Sequence, residues 1–526
     1  PPSPPPPSFP RSSPSHQSLQ MIYLHVGQAG NEIGSAFWRY ALGEGPPRRW
    51  LFDEVGRCRA VFVDTEPKVV HGAARAIGTA RIHPQCVLSE QSGRGNNWAA
   101  GFNGPTVAEA GGAPRLRGST SGGCGGAVCD AALEALRWQW ERTDFCPGVM
   151  LAHSLGGGTG SGLGSRLMVE LRDMHPKNHL ISACTAPFGA GELPLAAYNA
   201  TLALATLQQT VDGIFFFDAA GLLRQVTTCT TSSSTVSGGT IGTGTGGGSI
   251  ASGADARRSG GGGRVCMRHL DAHIAASLAG LTFPLDHAAS ASAAGSIGFT
   301  FGAFAPTGAS TRNEPAALRV RPFDASIVSA TLAPLPRLKL LSLHTARGPT
   351  ATPPPALAPP ITPHGPTARG TGTRRHAAWG SLVDEVLDEA PRYDVKHRPV
   401  VSLSSVAICR GADPDPVDPR AIDRLSRQLG PSPALAAPDH LRCSMGSSSL
   451  CALPTCGAPR TLTLASNRTA AAAQVEQLCL RAELMMSVRA YVHHFEAYGL
   501  GSDELAQAVE DMRYVVDDYQ ELDGTL

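Results

Sequence analysis

The 526-residue chain contains 13 cysteines but no CxxC pair and no His/Cys cluster at zinc spacing, which removes zinc ribbons and thioredoxin-like redox motifs from consideration. The closest grouping, Cys443, Cys451 and Cys456, reads as unpaired thiols, and a reducing compartment fits this usage best. Charge of one sign is also missing: 44 Lys and Arg face 43 Asp and Glu, a net of +1, so electrostatics gives no argument for a nucleic acid or an anionic membrane as partner. No uninterrupted apolar run reaches the length of a membrane span. The first twenty residues, opening Pro1-Pro2-Ser3-Pro4, lack the basic-then-apolar order of a secretory signal. We expect an extended, solvated leader there, with translation starting at Met21.

What is present is a run of backbone with almost no side chains. Residues 154 to 162 read Ser-Leu-Gly-Gly-Gly-Thr-Gly-Ser-Gly, after the apolar run Val149 to Ala152 and before Leu163, Leu167 and Leu171 at helical spacing. A strand, glycine loop and helix in that order aim unpaired amides and the positive end of a helix dipole at one place, which suits an anion. The hydroxyls of Ser154, Thr159 and Ser161 could donate to phosphate oxygens. The pattern is neither GxxxxGK[ST] nor GxGxxG and holds no lysine, which disfavours a P-loop or a dinucleotide fold.

Strand and helix then alternate. Ile33, Phe37 and Ala41 form one helical stripe, Arg59 to Asp64 reads as a buried strand ending in acids, Leu133, Leu136 and Trp140 mark another helix, and Leu180 to Cys184 and Gly213 to Asp218 are further strands. That order implies a parallel sheet with ligands gathered at the carboxyl ends of its strands.

GGGTGSG after a strand resembles the signature of the tubulin superfamily. Three more stretches resemble that family's loops in the family's order: His25-Val26-Gly27-Gln28-Ala29-Gly30-Asn31-Glu32-Ile33-Gly34, Val61-Phe62-Val63-Asp64-Thr65-Glu66-Pro67, and Ser92-Gly93-Arg94-Gly95-Asn96-Asn97-Trp98. Tyr198-Asn199-Ala200-Thr201-Leu202 and Leu332-Ala333-Pro334-Leu335-Pro336 continue the likeness, as do helices from Tyr491 to Leu522. The resemblance implies an α/β fold: a Rossmann-like parallel-sheet nucleotide-binding domain over 21–287, a smaller α/β domain over 322–467 and C-terminal helices over 468–526. Biased tracts at 227–263, 288–321 and 348–375 cannot bury enough apolar surface to offset ordering, so loops or disorder are expected there, whether as lineage-specific insertions or as retained intron sequence. The strands at Val400 to Cys409 and Thr461 to Ser466 are expected in a second layer.

The same resemblance implies GTP or GDP with Mg2+. Gln28, Ala29, Asn96, Ser154, Gly156, Gly157, Gly158, Thr159, Gly160, Ser161 and Gly162 would surround the phosphates, Glu192 would contact the ribose, and Asp64 and Glu66 would share a hydrated Mg2+. Magnesium keeps several waters and takes few carboxylates, which suits that pair. At the base, the family's two guanine-reading asparagines fall on Ala219 and Asp271, and its stacking aromatic falls on Met267. Asp271 could accept from the guanine N1 and N2 donors, whereas Ala219 offers no side-chain hydrogen bond. The acid that completes a neighbouring subunit's site in filament-forming members falls on Ile327, with Asp324 three residues before it. Nucleotide binding with at most weak hydrolysis is therefore expected.

Within the family, Val63-Asp64-Thr65-Glu66-Pro67-Lys68-Val69-Val70, Gly189-Ala190-Gly191-Glu192 and Ala490-Tyr491-Val492-His493 resemble delta-tubulin. That likeness implies a cytoplasmic, cytoskeletal protein of centrioles, basal bodies and cilia, partnered with other tubulin chains and with neither nucleic acid nor membrane. Two alternatives stay open: a GTP-hydrolysing subunit of another class, epsilon-like or divergent alpha/beta, and a degenerate paralogue that binds nothing.

Overall fold

The computed structural model describes residues 20–43, 50–104, 127–189, 193–234, 265–283, 285–286, 320–321, 323–348, 379–390, 392–394, 397–410, 419–429 and 460–524. The expectations for the leader, for most of the three biased tracts and for Glu192 lie outside these residues.

The order is β1 (Ile22–Val26), α1 (Gly27–Gly43), β2 (Ala60–Asp64), α2 (Pro67–Ile77), β3 (Val87–Ser89), α3 (Trp98–Asn103), α4 (Ala127–Glu141), β4 (Gly148–Ser154), α5 (Gly164–Met174), β5 (His179–Thr185), α6 (Ala196–Thr210), β6 (Gly213–Phe217), α7 (Ala219–Ser234), α8 (Met267–Thr282), β7 (Leu340–Arg347), α9 (Trp379–Glu389), β8 (Ser402–Arg410), α10 (Pro419–Leu429), β9 (Thr461–Arg468), α11 (Ala470–Ser487), α12 (Val492–Glu496) and α13 (Ser502–Gly524). A two-residue pair, Leu285–Asp286 with Val320–Arg321, stands apart.

One nine-stranded sheet runs β8-β9-β7-β6-β5-β4-β1-β2-β3. From β3 to β7 every pairing is parallel, and β9 is antiparallel to both β7 and β8. Strands β1, β2, β4 and β6 are buried almost throughout, as expected for a sheet covered on both faces. The strands expected in a second layer instead extend the first sheet. The reason is a short parallel junction, Ile214↔Leu340 and Phe215↔Leu341, which hands the sheet edge of β6 to β7.

Each phosphate-side helix begins where a residue permits it. Gly27 turns the chain from β1 into α1 with φ +73°, Pro67 opens α2 at a position where its missing N–H costs nothing, and the Asn97 side chain accepts from the Ala99 amide to cap α3. Helix α8 is buried at every position from Leu270 to Thr282, so it lies in the core and not on the surface. It packs against α1, and Phe37 meets Phe283 edge to face at 5.2 Å between ring centres. In α13, Leu505, Val509, Met512, Val516 and Tyr519 are all buried, which is the face their spacing predicts. A second core, made of Ala346, Trp379, Leu382, Val386, Leu425, Leu462 and Leu464, fills the space between α9, α10 and the β7–β9 end of the sheet.

Candidate functional site at the switch point

Strand order reverses between β1 and β4, each of which feeds a helix on leaving the sheet, and a doubly wound sheet opens a crevice at that place. Four separated turns meet there. From the first, a β-carbon on Gly27 would fall 2.9 Å from the Gly160 amide nitrogen, so α1 starts against the glycine loop. From the second, the Thr65 and Thr159 hydroxyls bond at 2.6 Å. From the third, a β-carbon on Gly158 would fall 2.8 Å from both the Arg94 carbonyl oxygen and the Asn97 nitrogen. Asn96, held at φ +51°, brings its Oδ1 to within 3.9 Å of the β-carbon position of Gly157. After the glycine loop, Thr159–Leu163 form a π-helical turn that leads into α5.

The loop's hydroxyls are already engaged. Ser161 is fully buried and donates to the Gly157 carbonyl, Ser154 Oγ accepts from the Gly156 amide at 3.2 Å, and Thr159 is tied to Thr65. Buried polar groups have to be satisfied, and here the loop satisfies its own. Ser154 still has a hydrogen to give. The Ser161 hydroxyl, which sequence suggested as a phosphate donor, points inward instead.

A cavity of about 380 Å³ opens beside these turns. Ala29, Ser154, Gly156 and Gly157 line one end, Thr185 and Pro187 the middle, and Ala219, Met267, Leu270, Asp271 and Ile274 the other, while Arg481 and Met485 of α11 stand on a further wall. Gln28 is exposed beside Ala29. Of the residues inferred from sequence, Ala29, Ser154, Gly156 and Gly157 on the phosphate side and Ala219, Met267 and Asp271 on the base side border one space, while Asp64, Glu66, Asn96 and Thr159 are not among its lining residues.

Asp64 is 4% exposed; one carboxylate oxygen accepts from the Thr65 amide at 2.8 Å, and the other has no hydrogen-bond partner. Burial, with a smaller contribution from Glu66, pushes its pKa up to about 6. Glu66 is exposed, its Oε1 lying 3.2 Å from the β-carbon position of Gly93. A buried carboxylate oxygen without a partner is the donor a hydrated divalent cation needs, so this pair suits Mg2+. At the far end, Asp271 is 7% exposed, and burial together with repulsion from Glu32 raises its pKa to about 8 against the opposing Arg268. Its surroundings favour the protonated form of the carboxyl group. The expectation that it accepts two donors from a base thus requires it first to lose a proton.

Three positioning residues were missed from sequence. Asn199, fully buried in α6, donates to the Asn96 carbonyl at 2.7 Å and the Gly156 carbonyl at 2.8 Å and accepts from the Trp98 amide at 2.8 Å. His153 donates through Nδ1 to the Gly160 carbonyl at 2.8 Å and accepts at Nε2 from Ser182 at 2.9 Å, with its pKa held down to about 4 by burial. Asn31 ties the first turn to the second, donating to the Gly27 carbonyl at 2.7 Å and the Val63 carbonyl at 2.9 Å. The available signal was a lone polar side chain inside an apolar segment.

Ile327 is 3% exposed, and Asp324 accepts from the Ser326 amide at 2.9 Å. The following residues Val328 and Ser329 approach Gly213 and His179, where β6 and β5 begin. This segment lies at the amino edge of the sheet, away from the cavity.

Residues 20–111 and 115–227 match the family described as Tubulin/FtsZ family, GTPase domain. Over this part the chain is similar to the tubulin superfamily. The tubulin-like region is 30% identical over 220 residues to the tubulin beta-1 chains of Geotrichum candidum and of Suillus bovinus, covering 38% of this chain and 45% of each relative. The tubulin beta chain of Schizophyllum commune is 29% identical over the same length. The chain spans about half the length of the curated relatives it matches. No helix among the described residues is long and apolar enough to cross a membrane.

Proposed function

We propose that the chain binds GTP or GDP with Mg2+ in this cavity and acts as a delta-tubulin-like cytoskeletal protein of centrioles and basal bodies, supporting triplet microtubules and the assembly of cilia and flagella. The nucleotide part is carried by one observation: four turns far apart in sequence meet at the sheet's switch point, and two of them, through Ala29 and through Ser154, Gly156 and Gly157, line a single cavity. The amides around Gly156 and Gly157, with the helical turn starting at Thr159, supply the anion site, and the methyl side chain of Ala29 lets backbone come close. Asp64 with Glu66 would hold the Mg2+, which supplies neutralisation of phosphate charge when bound. Asn199 and His153 keep the loop in shape before ligand arrives. The centriolar part rests on the delta-like stretches around Asp64, Gly189 and Tyr491. Partners are then other tubulin chains in the cytoplasmic cytoskeleton.

Hydrolysis is expected to be weak, because an isoleucine stands where filament-forming members carry an acid and cannot orient a water. A GTP-hydrolysing subunit of another class is the second reading, and the likeness to beta chains favours it. Nucleotide released from the purified full chain and identified by chromatography tests the binding step; an empty protein would refute it. A tagged copy concentrated at basal bodies supports the centriolar reading. Phosphate release by an assembled sample at the rate of ordinary tubulin supports the second.

A further inference from the structure

One wall of the cavity comes from a helix outside the residues that match the GTPase-domain family, α11. Leu478, Arg481 and Met485 line that wall at three- and four-residue steps, so a single face of the helix looks into the space. Leu478 is buried and Met485 packs against the main core, which fixes the helix one turn to either side of Arg481. The Arg481 guanidinium lies 3.6 Å from the β-carbon position of Gly189, in the loop between β5 and α6. Two residues earlier in that loop, the Pro187 Cβ lies 3.2 Å from the β-carbon position of Gly156. Only the short segment 187–189 therefore separates the guanidinium from the glycine loop.

Arg481 is the one cation among the described residues that line the cavity, and its charge is unspent. No hydrogen bond or ion pair engages it among the described residues. The acids near it on α11 turn toward α13 instead: Arg513 donates to both Glu483 oxygens at 2.7 and 2.6 Å and lies 4.0 Å from Glu476. Asp271, the one acid among the described lining residues, is acted on by Glu32 and Arg268. The glycine loop holds no lysine, so its amides and helix dipole offer a polyphosphate only partial charges.

We propose that Arg481 binds the phosphate chain of the nucleotide from across the cavity, supplying from the C-terminal helices the full positive charge that the glycine loop lacks. This rests on the nucleotide reading above and assigns its site a ligand-binding residue outside the four turns. The side chain is exposed, and its planar fork of donors matches phosphate oxygens two at a time. A bound nucleotide then joins the glycine loop to α11, and through the Arg513–Glu483 pair to α13.

Full-length protein with Mg2+ would be titrated with GTP and with GDP at ionic strengths of about 0.05 and about 0.5 M. R481M keeps an unbranched apolar stem against Gly189 and deletes the charge; it should bind both nucleotides about tenfold more weakly than wild type at low salt and within about threefold at high salt. R481K restores the charge without the fork and should stay within about threefold of wild type at low salt. Hydrogen exchange of the 478–487 amides should slow on adding GDP to wild type and not on adding it to R481M. R481M binding as tightly as wild type at low salt overturns the proposal. So does a loss that is equal at both salts and equal in R481K, because that marks a packing role for the side chain. If neither nucleotide binds to wild-type protein that melts cooperatively, the nucleotide reading fails and this inference with it; wild-type binding that R481M retains removes this inference alone.

Discussion

The parallel and antiparallel ends of this one sheet use buried polar side chains in opposite ways. Around β1 and β4, Asn199, Asn31 and His153 hold loops, each donating to backbone carbonyls of the turns that meet at the switch point. Around β7 to β9, Asn467 donates to the Leu332 and Leu338 carbonyls at 2.9 and 2.6 Å and accepts from Tyr519, tying a turn and α13 to the sheet. Arg410 likewise donates to the Gly280 and Phe283 carbonyls, closing the C-terminal end of α8. Parallel strands bring all their exits to one edge, where loops can converge; antiparallel strands alternate their exits. The first arrangement builds a site, and the second anchors the far end of the helix that carries Asp271.

The largest expected effect breaks this contrast at its two asparagines. Asn199→Ala takes the partner from three backbone groups, two of them in buried contacts, and should cost about 3 kcal/mol of stability with loss of nucleotide affinity, whereas Asn467→Ala should cost a similar amount and leave the affinity of the folded fraction unchanged. Denaturant melts combined with nucleotide titration check both, and equal affinity losses would dissolve the distinction.

Glycines sharpen it further. Gly158→Ala forces a methyl group against the Arg94 carbonyl and the Asn97 amide and should cost about 2 kcal/mol, while a β-carbon on Gly380 of α9 meets nothing within 4 Å, so Gly380→Ala should stabilise by about 0.5 kcal/mol. Thermal melts of the pair give the comparison directly.

His153 adds a pH signature. Its pKa is lowered in the folded state, so the unfolded chain takes up a proton first on acidification, and the stability due to the neutral ring is complete above about 6.5 and lost as pH falls toward about 4. The stability gap between wild type and His153→Gln should therefore shrink by about 2 kcal/mol between pH 6.5 and pH 5, read from urea melts at each pH. The smallest effect is expected for Thr159→Val, which removes one hydroxyl pair and should cost about 1 kcal/mol, with a modest loss of nucleotide affinity in the same titration.

Much of the parallel half was legible because its signals are local. Apolar runs and period-3.6 patterns located β2, β4, β5, β6 and α13, and glycine where chains cross marked the loop that becomes the site. The polar hubs were harder to read: Asn199 sits in a helix buried on all sides, and nothing in its neighbours says that Asn96, Gly156 and Trp98 arrive beside it. The antiparallel strands were located correctly but assigned to a separate layer, since a junction of two residue pairs leaves no periodic trace.

By itself, the order of residues determined the elements, the four turns and which side chains could meet an anion or a metal, because these follow from backbone freedom and short-range periodicity. Tertiary structure decided which hydroxyls remain free, that Asp64 keeps an oxygen without a partner and that burial raises the proton affinity of Asp271. Those properties depend on what surrounds a group once water is gone, and burial is a property of the folded chain alone.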